Sequence, residues 1–370
     1  MAPKVVRDEG PGMRDERDGA TSSLIPHPSS LKSAVSRLAT AIGTILLLAV
    51  LNELLARVVA AGNLSGYSLR VLLNVGIAIT MAASLNLING IAGQFSLGHA
   101  GFMAVGAYTS AVLTLALGPR LATALPALGP DTPAGGMLLL GVAMAAAGAA
   151  AAVAGVAVGL PSLRLRGDYL AIVTLGFGQI IVAILLNIPA VGAAQGLTGI
   201  PALTNFFWVA VAAVGVIALS RNLVQSTHGL AFLAVREDEV AAEALGVDTT
   251  RTKVLAFVIG AFFAGVGGAL FAHLQQFIQP RDFDFMLSIQ FVVMVVLGGT
   301  GSITGAILAA IVLTVLPEVL RPVKEYRLIL YSFLLIVMML TRPQGIFGNR
   351  EISLWGLFQR RRKEIEAPLG

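Results

Sequence analysis

The sequence predicts an all-α polytopic membrane protein of about ten transmembrane helices, with both termini on the cytoplasmic side and some spans broken or re-entrant. Three observations lead there. Of 370 residues, 56% are hydrophobic and 12% charged, whereas soluble globular chains carry about 25% charged residues. The mean hydropathy is +0.84. Long apolar runs recur from residue 38 to residue 341, separated by short polar stretches. In hydrocarbon a backbone N–H or C=O finds its partner within its own helix or around a closed barrel, and these runs lack the alternation of barrel strands.

Ten runs are expected to span: 38–58, 68–88, 97–117, 137–160, 169–187, 206–220, 253–274, 285–297, 303–320 and 327–341. Several are shorter than the ~20 residues of a straight crossing, which is the reason to expect broken or re-entrant segments. With the N-terminus inside, 18 of the 25 Lys and Arg face the cytoplasm and 7 face outward, the bias that positive-inside insertion produces. Residues 1–37 mix both charge signs with Pro, Gly and Ser and are expected to form a disordered cytoplasmic tail, while 38–341 form the transmembrane domain. Residues 342–370 read as a basic cytoplasmic tail whose Arg360–Lys363 run meets anionic lipid headgroups of the bilayer. The uncharged loop 189–205, with Pro189, Gly192, Gly196, Gly199 and Pro201, is expected to face outward as turn-rich structure.

Several chemistries are excluded by what the chain lacks. It has no cysteine, hence no disulfide, thiolate nucleophile or cysteine-held metal. Its four histidines, His27, His99, His228 and His273, have no ligand spacing, so no metal site is expected. The net charge of +5 is accounted for by cytoplasmic Lys and Arg, and no nucleic-acid partner is expected. There is no His-Glu-x-x-His and no Gly-x-Ser-x-Gly, so no catalytic residue is assigned. The run Val296-Leu297-Gly298-Gly299-Thr300-Gly301-Ser302-Ile303-Thr304-Gly305 looks like a phosphate loop but has no lysine, and no Gly-Lys pair occurs anywhere in the chain. It reads as a tight turn between spans, and any ATP-driven step must be carried by another chain.

Two stretches are polar for their depth. Asn89 to Phe102 is Gly-rich and holds Gln94, Phe95, Ser96 and His99. Glycines let a helix break or let neighbours approach closely, and unwound backbone is tolerated where it lines a cavity or is covered by protein. Gln94, Phe95, Ser96 and His99 are therefore candidates for a pathway wall, the plainer reading being hydrogen bonds between packed helices. In the run opening at Arg164, Asp168 sits at a helix start and reads as a cap. Thr174 and Gln179 lie deeper in that span, where a polar group faces either a path or a neighbouring helix.

The segment 221–252 is different in kind. From Arg221 to Lys253 it gathers nine charges, Arg221, Arg236, Glu237, Asp238, Glu239, Glu243, Asp248, Arg251 and Lys253, between apolar spans. Glu237, Asp238 and Glu239 are expected at the start of a short helix, complementing its dipole, with Val240, Ala244 and Val247 on one face and Gly246 ending it. A helix lying on lipid carries Lys and Arg opposite bulky apolar residues; this one is acidic and Ala-rich, which fits a groove on a protein partner better.

These blocks together resemble the membrane permeases of branched-chain amino acid ABC importers, specifically the LivM-type subunit. The resemblance covers about residues 67–346 and rests on Gly90 to Phe102, Gly167 to Gly178, Arg236 to Gly246 and Val296 to Ser302, four ordered blocks in one chain. It implies a bacterial inner-membrane, multi-pass subunit that is not itself an enzyme. Its partners would be a sister permease, two cytoplasmic ATPase subunits that bind ATP and Mg, and a periplasmic substrate-binding protein; the chain itself would hold no cofactor. It also implies that Arg236, Glu237, Asp238, Glu239, Ala241, Ala242 and Gly246 form a coupling helix, similar in role to the EAA loop of importers. That loop has Glu before two alanines; here Val240 precedes Ala241 and Ala242, with Glu239 displaced by one. Two alternatives stay open on the residues alone: a urea or short-amide permease of the same build, and a secondary transporter or channel.

Overall fold

The computed structural model describes residues 28–62, 65–124, 132–162, 165 and 167–321, with isolated positions between 326 and 340. Among these residues there is no strand; one antiparallel bridge pairs Leu197 with Ile278. The helices are α1 (Pro28–Ala60), α2 (Gly66–Asn86), α3 (His99–Ala124), α4 (Pro133–Ser162), α5 (Asp168–Asn187), α6 (Phe206–Val224), α7 (Thr227–Glu237), α8 (Glu239–Ala244), α9 (Thr249–Gln275), α10 (Phe285–Gly298) and α11 (Ile303–Val319). Met1–Val50 and Leu51–Gly370 form two compact units.

In the first unit the described part is α1 as far as Val50. It starts at Pro28, where a missing N–H costs nothing, so residues 28–37 of the expected tail are helical. Residues 1–27, the tail 342–370 and most of the expected run 327–341 lie outside the described residues.

In the second unit the apolar runs become helices of unequal reach. Among the described residues, seven helices are long and apolar enough to cross a membrane: α1, α2 with its extension to Ile91, α3, α4, α5, α6 and α9. The expected spans 285–297 and 303–320 appear as α10 and α11, with 14 and 17 residues. At ~1.5 Å per residue they reach about 21 and 26 Å, short of a ~30 Å hydrocarbon core. They are joined by a glycine turn into a short hairpin. The loop 189–205 has the turn-rich character expected of it, with 3-10 turns at Pro189–Val191 and Ala193–Gln195.

α9 is the centre of the unit because its glycines admit other backbones. A Cβ on Gly265 would lie 2.5 Å from the Ala147 carbonyl oxygen of α4, and one on Gly106 of α3 would lie 2.6 Å from the Gly265 carbonyl carbon. Close approach of this kind replaces the hydrophobic drive that lipid removes. His273 pins the same pair: Nδ1 donates to Ala269 O at 2.8 Å, and Nε2 lies 3.1 Å from Thr114 Oγ1 of α3.

Candidate functional site

The charged segment between α6 and α9 folds into a handle of two short helices. Ser226 Oγ accepts the Gly229 N–H at 3.3 Å and starts α7. Asp238 turns extended, φ −155°, and its Oδ1 accepts the N–H groups of Val240 and Ala241 at 2.9 and 3.1 Å, starting α8. Glu237 therefore closes α7 rather than opening the short helix as expected: a capping residue is non-helical, and the cap fell on Asp238. Gly246, φ +83°, ends α8 in a Schellman pattern, with Gly246 N donating to Glu243 O at 2.9 Å and Val247 N to Ala242 O at 3.0 Å. Asp248 Oδ1 accepts the Arg251 N–H at 2.9 Å and opens α9. The handle runs directly into the central helix.

Its residues divide between two faces. Glu237, Asp238, Val240, Ala241, Glu243, Ala244 and Gly246 are exposed, and Leu245 is 84% exposed. Ala242 is buried, and Glu239 Oε1 lies 2.7 Å from Nζ of Lys253, the fifth residue of α9. α7 went unread in the sequence, although Gly229, Phe232 and Val235 carry its signal at three-residue spacing; all three are buried. Phe232 packs with Leu87, Ile91, Ala92, Ala256 and Ile303.

That cluster seats the handle against a break in the membrane helices. After Asn86 the helix widens into a π turn, Leu87–Ile91, then unwinds to Gly98. Side chains satisfy the freed backbone. Asn89 Oδ1 accepts Ser96 N–H at 3.1 Å and its Nδ2 donates to Ser96 O at 3.2 Å. Thr174 Oγ1 accepts the Leu97 N–H at 3.0 Å, and Ser288 Oγ the Ala100 N–H at 3.1 Å. Ser84 gives its single proton to Met81 O at 3.0 Å, so at 2.8 Å it accepts from His99 Nε2–H.

The six pathway candidates thus separate by position. Ser96, His99 and Thr174 are fully buried and Gln94 is 8% exposed, its Nε2 donating to Ala92 O at 3.2 Å. Phe95 and Gln179 are exposed. Asn89 and Ser288, which hold the break, were not singled out in the sequence; an amide three residues after the helix end was the available sign. Asp168 does not cap α5: Gly167, φ +57°, occupies the cap position with no side-chain bond, and Asp168 is the first helical residue. There its charge still complements the helix dipole.

The turn read from Val296 to Gly305 is present. Gly299 and Gly301 adopt φ +104° and +90°, and Ser302 Oγ accepts Gly305 N–H at 3.1 Å to start α11. Gly301 N donates to Asn86 Oδ1 at 2.9 Å, so this turn and the helix break are bonded to one another.

Membrane-length helices around an unwound, internally bonded segment, with a folded polar handle, define a polytopic membrane protein. The chain belongs to the family described as branched-chain amino acid transport system / permease component, whose model matches residues 67–341. It is 38% identical over 305 residues to the high-affinity branched-chain amino acid transport system permease protein LivM of Salmonella typhimurium and to that of Escherichia coli, covering 73% of this chain and 67% of each relative. It is also 36% identical over 149 residues to the permease protein LivH of Salmonella typhimurium, covering 40% of this chain and 47% of that one. No solved structure matches.

Proposed function

We propose that this chain is one permease subunit of an ATP-driven importer that carries branched-chain amino acids across the bacterial inner membrane. A periplasmic binding protein delivers the substrate, a sister permease completes the path, and two cytoplasmic ATPase subunits bind ATP and Mg. The observation that carries this reading is the handle: an acidic, small-residue face on α8, capped at both ends, bonded to the central helix and exposed to a partner. The similarity to LivM supports the substrate class, and the shorter similarity to LivH supports a related permease as the sister.

In this reading both termini and the handle are cytoplasmic, and the ten apolar runs make the full set of membrane segments. Closure of the ATPases presses on Glu237, Ala241 and Gly246, and α8 carries α9 with it through Glu239 and Lys253. Phe95 and Gln179 face the path, while Gln94, Ser96, His99 and Thr174 hold its wall from behind. Reconstituted with its partners, the chain should take up leucine, isoleucine and valine on addition of ATP, without a proton gradient. Uptake driven by the gradient alone would overturn the importer reading; competition by urea but not by leucine would overturn the substrate.

A further inference from the structure

The inner face of the handle carries a cation that the exposed docking face does not use. Arg236 lies one helical turn after Phe232 on α7, so both point toward the break. Its stem rests on Gly93, where an added Cβ would fall 2.8 Å from Arg236 Cγ. Its Nη1 reaches Gly301, where an added Cβ would fall 2.8 Å from that nitrogen. Gly93 and Gly301 have φ +67° and +90°, so an L side chain is disfavoured at each by both conformation and contact.

These two glycines belong to different membrane elements, the unwound segment after α2 and the turn between α10 and α11. The elements also touch directly: a Cβ on Gly90 would lie 2.8 Å from Gly301 Cα. The charge suits the position. The π turn after α2, α10 and α7 all end here, and a cation is favoured near helix C-termini, where carbonyls lack intrahelical partners. The Arg236 side chain is 24% exposed and its ion pair with the 78% exposed Glu237 is loose, at 3.9 Å. Surface pairs of that kind contribute little.

We propose that Arg236 is a positioning residue that latches the handle to both the helix break and the α10–α11 turn, rather than a contact for the ATPase. The inference rests on the reading of the handle as the motor's seat. With the latch in place, α7 and the turn move as one body when nucleotide binds. A planar guanidinium on a long stem spans the two glycines, which a lysine ammonium does only in part.

The chain has no cysteine, so a spin-label pair placed by Leu230→Cys and Thr300→Cys, both at exposed positions, measures the distance from α7 to the turn in the reconstituted complex. Uptake and ATP hydrolysis are measured in parallel on the unlabelled complex. In the native background the label distance should be the same with and without ATP. With Arg236→Ala it should change on ATP addition, and uptake should fall at least tenfold while hydrolysis stays within about twofold. Arg236→Gln should behave like Arg236→Ala, and it guards against failure to fold by keeping an amide over the same glycines. Arg236→Lys should fall between. A nucleotide-dependent distance in the native background overturns the latch, and so does native uptake in both uncharged variants. Loss of ATPase co-purification with Arg236→Ala also overturns it, because that marks a docking contact. A native complex without ATP-driven uptake removes the underlying reading, and shows itself before any substitution at 236.

Discussion

The Lys253 ammonium meets the Glu239 carboxylate at 2.7 Å, with the lysine side chain 3% exposed and the glutamate 17%. Glu239 opens α8 and Lys253 is the fifth residue of α9, so the loop between the two helices is closed by a largely buried ion pair. Removing Glu239 leaves the Lys253 charge buried and without this carboxylate, at a cost of about 3–5 kcal/mol, whereas replacing both partners with apolar groups costs far less. Lys253→Met and Glu239→Met should each lower the unfolding temperature in detergent markedly, and the double variant should recover most of the loss. Equal and additive losses would mean that the two side chains do not act as a pair. The same double variant keeps packing between α8 and α9, so it should retain more uptake than either single one.

Gly246 has φ +83° and no atom within 4 Å of an added Cβ. Any cost of substitution there is backbone conformation alone, about 1–2 kcal/mol for an ordinary L residue. Gly246→Asn should be tolerated, Gly246→Ala should be measurably less stable, and Gly246→Val worse again. Thermal unfolding in that order checks the assignment; an unchanged Gly246→Val protein would mean that the Schellman cap does not form.

The parts of this structure that were legible in the sequence are the ones set by neighbouring residues. Asp238 and Gly246 act on their own backbone, so the stop of α8 could be read, and the Gly-rich polar run after Asn86 announced its break. α7 could not be read in the same way: Phe232 and Val235 look like loop residues until Leu87, Ile91 and Ile303 are brought beside them by the fold. Hydropathy also does not distinguish a short hairpin such as α10–α11 from two full crossings. Asp168 is a third case, where a left-handed Gly167 took the cap position that residue type alone had given to the aspartate.

Thr174 and Gln179 lie five positions apart on α5 and should fail in different ways. Thr174 is fully buried and its Oγ1 accepts the Leu97 N–H at 3.0 Å; Thr174→Val keeps the shape and leaves that N–H without a partner, at about 1–3 kcal/mol. Thr174→Ser should retain stability. Gln179 is exposed, so Gln179→Leu should leave the unfolding temperature unchanged and alter the concentration dependence of uptake. If Gln179→Leu unfolds the protein while Thr174→Val does not, the division into wall and brace is reversed.

The packing of α9 makes the sharpest stability contrast between two glycines. At Gly265 an added Cβ would lie 2.5 Å from both Ala147 O and Ala151 Cβ, and α3 closes the other side through Gly106. A methyl group there has to push apart three helices, and overpacking of this sort typically costs about 1–3 kcal/mol. At Gly176, on α5, nothing lies within 4 Å, so Gly176→Ala gains helix propensity of about 0.5–1 kcal/mol with no collision. Gly265→Ala should therefore lower, and Gly176→Ala raise or preserve, the unfolding temperature of the purified chain. Gly265→Leu should prevent the bundle from assembling, seen as protease sensitivity within α3 and α4. A protease-resistant Gly265→Leu protein would mean that α9 does not run between α3 and α4 at backbone contact.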